Sequence, residues 1–291
     1  MENKTATPKN GTAHKDVYKL INDQFIVQLQ QGIIPWRIPW ADRGLPTNLR
    51  TRNSYRGINV TLLAMLGYEK NFFVTEKQIG ELGGTVKKGE QAHDVALWKY
   101  GNDKAVKTKP TLESYGVYNV AQCDWQTEQV IVLQERKTTP IAACEAILTN
   151  MPLRPEIKHK EQKAYYEPVK DFINMPKRKG IGTEEKYFAT LFHQLVHATG
   201  NASRLGRKDL IQMAEIGDSN EYSHEELVAE IATYYLLSFV GISYESEDRE
   251  KAALGWLEKI QNDKNFVISA STHAQKAVDY ILRVERKQKE E

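Results

Sequence analysis

The sequence predicts an α+β protein in two domains: a mixed α/β unit, then a mostly helical unit carrying a small sheet. Three observations support this. At 291 residues the chain is long enough for two ordinary domains. Short apolar runs between glycine and lysine turns fill much of the first half, whereas long stretches of helical period fill the second. Between them, charge and polarity peak over Gln134–Thr139 and end at Pro140. The boundaries expected are a disordered tail at 1–13, a first domain at 14–133, a linker at 134–140 and a second domain at 141–286.

Residues 1–13 combine Lys, Thr, Asn, Gly and Pro without an apolar period. From Asp16, the positions Val17, Leu20, Ile21, Phe25, Val27 and Leu29 predict a helix ending at Gly32, ahead of Pro35. A loop rich in Pro, Trp and Arg runs from Pro35 to Arg56. Helices follow at Asn59–Leu66 and around Glu76–Leu82. Gly83-Gly84 and Lys87-Lys88-Gly89 are turns flanking short strands. Further strands are expected at Val95–Trp98, Gly116–Val120 and Val130–Leu133.

Past the linker, Ile141–Leu148 reads as a helix and Ala164–Ile173 as strand material. Thr183 can cap the next helix, with Glu184 and Glu185 in its favourable first turn. Phe188, Leu191, Phe192, Leu195 and Val196 form its apolar stripe, and Gly200 closes it. Two long helices come next, near Ser223–Val240 and Asp248–Asp263, and a last one at Thr272–Arg286.

Composition narrows the function classes. No apolar run approaches the length of a spanning helix, and Met1–Lys15 lacks the apolar core of a secretory signal, so no membrane association is expected. Two cysteines, Cys123 and Cys144, imply no disulfide framework and fit a reducing cytoplasm. Residues 1–140 hold 19 Lys and Arg against 14 Asp and Glu, while the remainder holds 21 against 24. That modest asymmetry favours a polyanion partner for the first half only.

The most informative motif is His193-Gln194-Leu195-Val196-His197. Imidazoles four residues apart on a helix project from one face on successive turns, as divalent-metal binding requires. A carboxylate supply lies on the next helix, where Glu226 and Glu230 share a face beside an apolar stripe. Two carboxylates close to a core repel and lose hydration unless a cation compensates them. Glu226 is therefore the expected third ligand, and Glu230 the acceptor that orients a ligating imidazole. A plainer reading stands beside it. Ser223-x-x-Glu226 is also a capping-box pattern, which would leave Glu225 and Glu230 as solvent-facing charges. His224 is a weaker alternative ligand. Two histidines and a glutamate leave a position open, suiting Zn2+, although Mn2+ and Fe2+ accept the same ligand types.

Gln194 stands where His-Glu-x-x-His metallopeptidases place the glutamate that takes a proton from the attacking water. An amide can hydrogen-bond there but cannot carry the proton, and such assistance is worth about 10²–10⁴-fold. In the first half, Trp36, Arg37, Trp40, Arg50, Arg52, Tyr55 and Arg56 interleave aromatics with cations, with Asp42 the single acid among them. Rings stack on bases and guanidinium groups hold phosphates, so the run suits single-stranded nucleic acid. The alternative is that the tryptophans anchor the loop on a core and the arginines are solvated. Lys87 and Lys88 would add phosphate contacts from a turn, or are ordinary surface.

The two halves together resemble the ArdC-type antirestriction proteins of plasmids and mobile elements. From about Asp16 to Gln126 the resemblance rests on Gly32-Ile-Ile-Pro-Trp36, Pro39-Trp40, Pro46-Thr-Asn48, Tyr55-Arg-Gly-Ile-Asn59, Gly83-Gly84, Val86-Lys-Lys-Gly89 and Tyr118-Asn119. From about Ala142 to Ile281 it rests on Tyr166, Pro168, Asp171, Met175-Pro176, Tyr187–His193, His197-Ala-Thr-Gly200, Arg204-Leu205, Glu225–Glu230 and Gln275–Tyr280. It implies a single-strand DNA-binding domain, to which Asn59 would contribute, and a zincin-type metallopeptidase domain. It also implies a role in protecting incoming DNA from host restriction during conjugation. The sequence departs from the family pattern at Gln194, where the pattern has Glu. Two rival roles follow: a DNA-directed zinc metallopeptidase acting on a protein substrate or host restriction component, inactivated or trapped by Gln194, and a scaffold with a structural metal.

Overall fold

A computed structural model describes residues 16–37, 43–100, 110–127, 138–210, 222–245 and 249–284. The expected tail, the strand at 130–133, most of the linker, and Trp40 lie outside the described residues.

Helix α1 (Val17–Gln30) starts where Asp16 accepts from the Lys19 backbone N–H at 3.2 Å. Val17, Ile21, Phe25 and Leu29 form its buried side. A single 3-10 turn at Pro35–Arg37 then drives Trp36 fully inside. The four-stranded sheet that follows is assembled from distant pieces. Strand β1 (Thr47–Asn48) runs parallel to β2 (Phe72–Val74). Strand β2 pairs antiparallel with the end of β5 (Thr111–Asn119), which also forms a long antiparallel ladder with β4 (His93–Lys99). The order is β1-β2-β5-β4. A separate pair, β3 (Gly84–Val86) and β6 (Cys123–Trp125), lies at its side.

Helix α2 (Ile58–Ala64) covers this sheet, tied by the Asn59 amide, which accepts from Ala96 N–H at 2.7 Å and donates to Ala96 C=O at 2.8 Å. Helix α3 (Glu76–Glu81) is set by a reciprocal capping box between Thr75 and Gln78, which satisfies two otherwise orphaned N–H groups.

The C-terminal half begins with α4 (Pro140–Asn150), capped by Thr139. The predicted strand material at 164–173 divides into a hairpin, β8 (Tyr165–Glu167) and β9 (Phe172–Asn174), with β7 (Glu156–Lys158) parallel to β9 on the other side. The division falls at Asp171, whose backbone has φ of 49° and whose carboxylate accepts from Tyr166 O–H at 2.7 Å. Helices α5 (Glu184–Thr199), α6 (His224–Val240), α7 (Arg249–Asn262) and α8 (Phe266–Ile281) make the helical layer. Gly241 ends α6 in the left-handed region, φ 86°, where glycine meets no steric penalty. The last helix begins at Phe266 rather than Thr272. The turn before it is closed by Asp263, which bonds the N–H groups of Asn265 and Phe266, and Val267 and Ile268 then bury against the core.

The largest buried cluster draws on both halves of the chain. Asn22 on α1 donates to the Ile260 carbonyl on α7 at 2.9 Å, and Trp36 packs against Phe25 and Trp256 with ring centroids 6.1 Å away in each case. Tyr235 O–H on α6 donates to the Gly57 carbonyl. The α1–Trp36 segment is therefore packed as part of the helical layer, bringing N-terminal residues beside the C-terminal cleft.

Candidate metal centre

Helix α5 places His193 and His197 on adjacent turns, and α6 packs alongside it. Ser223 caps α6 by accepting from the Glu226 backbone N–H at 3.2 Å. The Glu226 carboxylate faces the imidazoles. Its oxygens lie 3.2 Å from His193 Nε2 and 3.4 Å from His197 Nε2, and the two Nε2 atoms are 3.1 Å apart. Bonds of about 2.0–2.1 Å in a tetrahedral arrangement space ligand atoms about 3.3 Å from one another. The three separations bracket that value, so these atoms could hold one divalent ion. Among the described residues this is the sole cluster of three or more His, Cys, Asp or Glu side chains with such convergence.

The electrostatics fit a cation. Burial opposes charge on His197, yet hydrogen bonds to Glu225 and Glu226 and their charges push its pKa up to about 9. Burial also opposes charge on Glu226, but hydrogen bonds from His193 and His197 hold its carboxyl well below the usual range. The same donors that attract a proton would receive a metal, so metal and protons compete for the site.

Behind the triad lies a carboxylate to which the sequence reading gave a place only in its plainer alternative, as a solvent-facing charge. Glu225, completely buried, faces His197 Nδ1 at 3.1 Å, the ring nitrogen turned away from the other two groups. Arg207 grips Glu225 with two bonds of 2.8 and 2.6 Å, and also donates to Thr199 Oγ1 and the Val196 carbonyl. Burial disfavours charge on Glu225, but the Arg207 and His197 bonds outweigh it and lower its pKa. Glu225 is thus no solvent-facing charge. Gly200 makes room for this clamp: a Cβ there would sit 2.9 Å from Arg207 Nη2 and 2.8 Å from a Leu210 methyl.

Glu230, expected to orient an imidazole, does not meet one. Four residues on from Glu226, it stands about 6 Å farther along the helix axis. There it pairs with Arg37 and accepts from Trp256 Nε1 at 3.0 Å. Nothing local distinguishes Glu225 from Glu230. The Glu-Glu doublet signalled a second carboxylate, but Arg207 carried no recognisable motif.

His193 and Glu226 open into a cleft of about 300 Å³, which Gln194, Arg37, Tyr234 and Trp256 help to line. Gln194 therefore does stand beside the metal-competent atoms. His224, the alternative ligand, turns elsewhere: its ring bonds Asp209 and Ser269.

The candidate DNA residues scatter. Trp36 is wholly buried, so it anchors the loop and presents no face to a base. Arg37 is mostly buried in its Glu230 pair. Arg56 pairs with Asp279 on α8, and the Asn59 amide is committed to Ala96. These four do not form an open DNA surface, because long-range partners took their polar groups or the core took the ring. Arg50, paired with Glu81, and Arg52, over the Phe72 ring at 5.6 Å, sit on an exposed turn. Tyr55 is partly buried against Phe73, and burial pushes its pKa up to about 12. Lys87 and Lys88 are exposed on a second turn. Both turns flank one small core containing Leu49, Phe72, Val74 and Val86.

Comparison with known proteins identifies both halves. Residues 15–147 match the family model described as the N-terminal domain of anti-restriction factor ArdC, and residues 142–273 match a zincin-like metallopeptidase. Two crystal structures of the antirestriction ArdC protein from plasmid R388 share the fold across 92% of this chain and 97% of theirs. The metal-free form has 30% identity and a TM-score of 0.74, the Mn(II)-bound form 31% and 0.75. The DNA primase TraC of Escherichia coli is 29% identical over 97% of this chain, but the chain spans 21% of that protein's length.

Proposed function

From the premise that this chain belongs to the ArdC family of antirestriction proteins, we propose that it binds single-stranded DNA and protects incoming DNA of a mobile element from host restriction, while His193, His197 and Glu226 hold a divalent metal. The observation that carries the metal assignment is the convergence of the three ligand atoms at 3.1–3.4 Å, backed by the buried Glu225–Arg207 pair. Zinc is the ion we assign, because two imidazoles and one carboxylate in tetrahedral spacing are its usual company. A relative of this family is described with Mn(II), so the competing ion is manganese.

When bound, the metal supplies Lewis acidity suited to hydrolysis. Glu225 fixes the orientation of His197 and leaves its Nε2 turned toward His193 and the Glu226 carboxylate. Gln194 lines the cleft and its amide can donate or accept a hydrogen bond there, but a neutral amide takes up no proton for transfer. The chain as it stands is accordingly a weak peptidase or none, and DNA protection rests on the N-terminal half. The Arg50–Arg52 turn, Tyr55 and the Lys87–Lys88 turn are the remaining candidate phosphate and base contacts there.

Elemental analysis of protein purified without an affinity tag tests the metal: about one zinc per chain is expected by this coordination logic, and none in Glu226→Ala. Fluorescence titration with a labelled single-stranded oligonucleotide tests the other half. Affinity should fall as salt rises, with a shallower slope in Lys87→Ala/Lys88→Ala. A salt-independent affinity would discard phosphate contact. Gln194→Glu separates the readings: protein cleavage appearing only in that variant would mark this chain as a disabled metallopeptidase.

A further inference from the structure

A second cleft, about 690 Å³, opens between residues 205–209, the start of α6 and α8, and it holds three side chains in a hydrogen-bonded chain. Asp209 Oδ2 lies 2.7 Å from His224 Nδ1, and His224 Nε2 lies 3.1 Å from Ser269 Oγ. We propose that Ser269 is a nucleophile activated by His224 and Asp209, and that this cleft performs acyl transfer on small uncharged esters.

The partners assign the tautomer. A carboxylate at Nδ1 holds the proton there, so Nε2 presents its lone pair to the Ser269 hydroxyl, the arrangement of Ser-His-Asp hydrolases. The Phe266 ring meets His224 edge-on with centroids 5.6 Å apart and limits its rotation. The behaviour of neighbouring hydroxyls separates this from ordinary helix packing. Thr149, Thr190, Thr233 and Thr272 each donate to the carbonyl four residues back. Ser269, on the same kind of helix, instead turns to the imidazole and faces the cleft.

His273 and Lys276 follow Ser269 at i+4 and i+7, so they share its helix face and line the same cleft. They bring an imidazole and an ammonium group, both able to donate hydrogen bonds, to the wall of the cleft. Lys208 also lines the cleft, and neither lysine pairs with a carboxylate among the described residues. Asp209 keeps its charge beside the neutral His224, and Asp263 keeps its own while accepting from the Asn265 N–H. With His224 neutral, Asp209 and Asp263 offset the two lysines, so the lining favours an uncharged substrate.

In the reaction, the Ser269 oxygen bonds the ester carbonyl carbon as its proton passes to His224 Nε2. The tetrahedral adduct collapses, its bond to the alkoxide breaks, and the alkoxide leaves with the proton from His224. Water repeats the sequence on the acyl-serine, releasing the carboxylic acid and restoring Ser269. No other reactant is needed.

The test is covalent labelling of the full-length protein with a fluorophosphonate, the adduct being located by peptide mass spectrometry. One adduct on Ser269 is expected, absent in Ser269→Ala and formed about 10²–10⁴-fold more slowly in Asp209→Asn. Prior removal of metal with a chelator should leave the rate unchanged, which distinguishes this site from the His193–Glu226 cleft. Circular dichroism of Ser269→Ala, which loses a single half-buried hydroxyl, confirms that the variant is folded. Ser269 labelling no faster than other serines, or an unchanged rate in Asp209→Asn, would show that the three side chains only brace α6 against α8.

Discussion

Replacing Glu225 by Gln tests the logic of the metal centre more directly than removing a ligand. Gln keeps the shape and can still accept from His197 Nδ1, but it removes the negative charge held against Arg207. That guanidinium is 4% exposed and Glu225 is fully buried, so solvent cannot take over the compensation. Removing one partner of a buried, hydrogen-bonded ion pair costs about 3–5 kcal/mol. The second consequence concerns the metal. Loss of a carboxylate behind a ligating histidine typically weakens metal binding about 10–100-fold. Urea unfolding of chelator-treated protein reads the first effect, and a zinc competition titration reads the second. Glu230→Gln is the control: its partners are Arg37 and Trp256, so it should lose some stability and leave zinc affinity nearly unchanged. If Glu230→Gln weakened zinc binding while Glu225→Gln bound as tightly as the parent chain, the assignment of Glu225 would be refuted.

Three further outcomes are expected. Burial opposes charge on Asp171, but hydrogen bonds from Arg204 and Tyr166 lower its pKa, so its stabilisation is full above the ordinary carboxylate range and is lost as pH falls through the folded-state value. Asp171→Asn should thus be less stable than the parent at pH 7, with the gap in urea midpoint narrowing below about pH 4 as the native carboxyl protonates. Trp36→Ala should lose about 3–5 kcal/mol of stability in the same assay, because the ring is fully buried between Phe25 and Trp256; a near-neutral result would return Trp36 to the surface. Cys123 and Cys144 are buried, and burial pushes their pKa up to about 11 and 12, so a thiol reagent at pH 8 should modify both only after denaturation.

The helices carrying the site were legible because their signals are local. Periodicity placed α1, α5 and α6, side-chain caps at Asp16, Thr183 and Ser223 marked their starts, and the four-residue spacing of His193 and His197 put both rings on one face. The four-stranded sheet was less legible. Its strands β1 and β2 are two and three residues long, too short to show alternation, and β1-β2 pairing joins segments more than twenty residues apart. The last helix was begun late because the Asp263 turn, rather than a conventional N-cap, starts it.

At the metal centre, sequence alone named the two imidazoles, offered Glu226 and exposed the missing acid at Gln194. It chose Glu230 as the acceptor behind an imidazole, whereas Glu225 serves His197, and nothing local separates two glutamates that flank Glu226 on one helix. Arg207 decides it, by entering beside Gly200 and stabilising a buried charge at Glu225. The same reason explains Trp36, Arg37, Arg56 and Asn59: their types suit nucleic acid, but their partners lie tens to hundreds of residues away. Spacing determines which side chains share a helix face; tertiary packing determines which of them keep water and which exchange it for a buried partner, because desolvation depends on every neighbour at once.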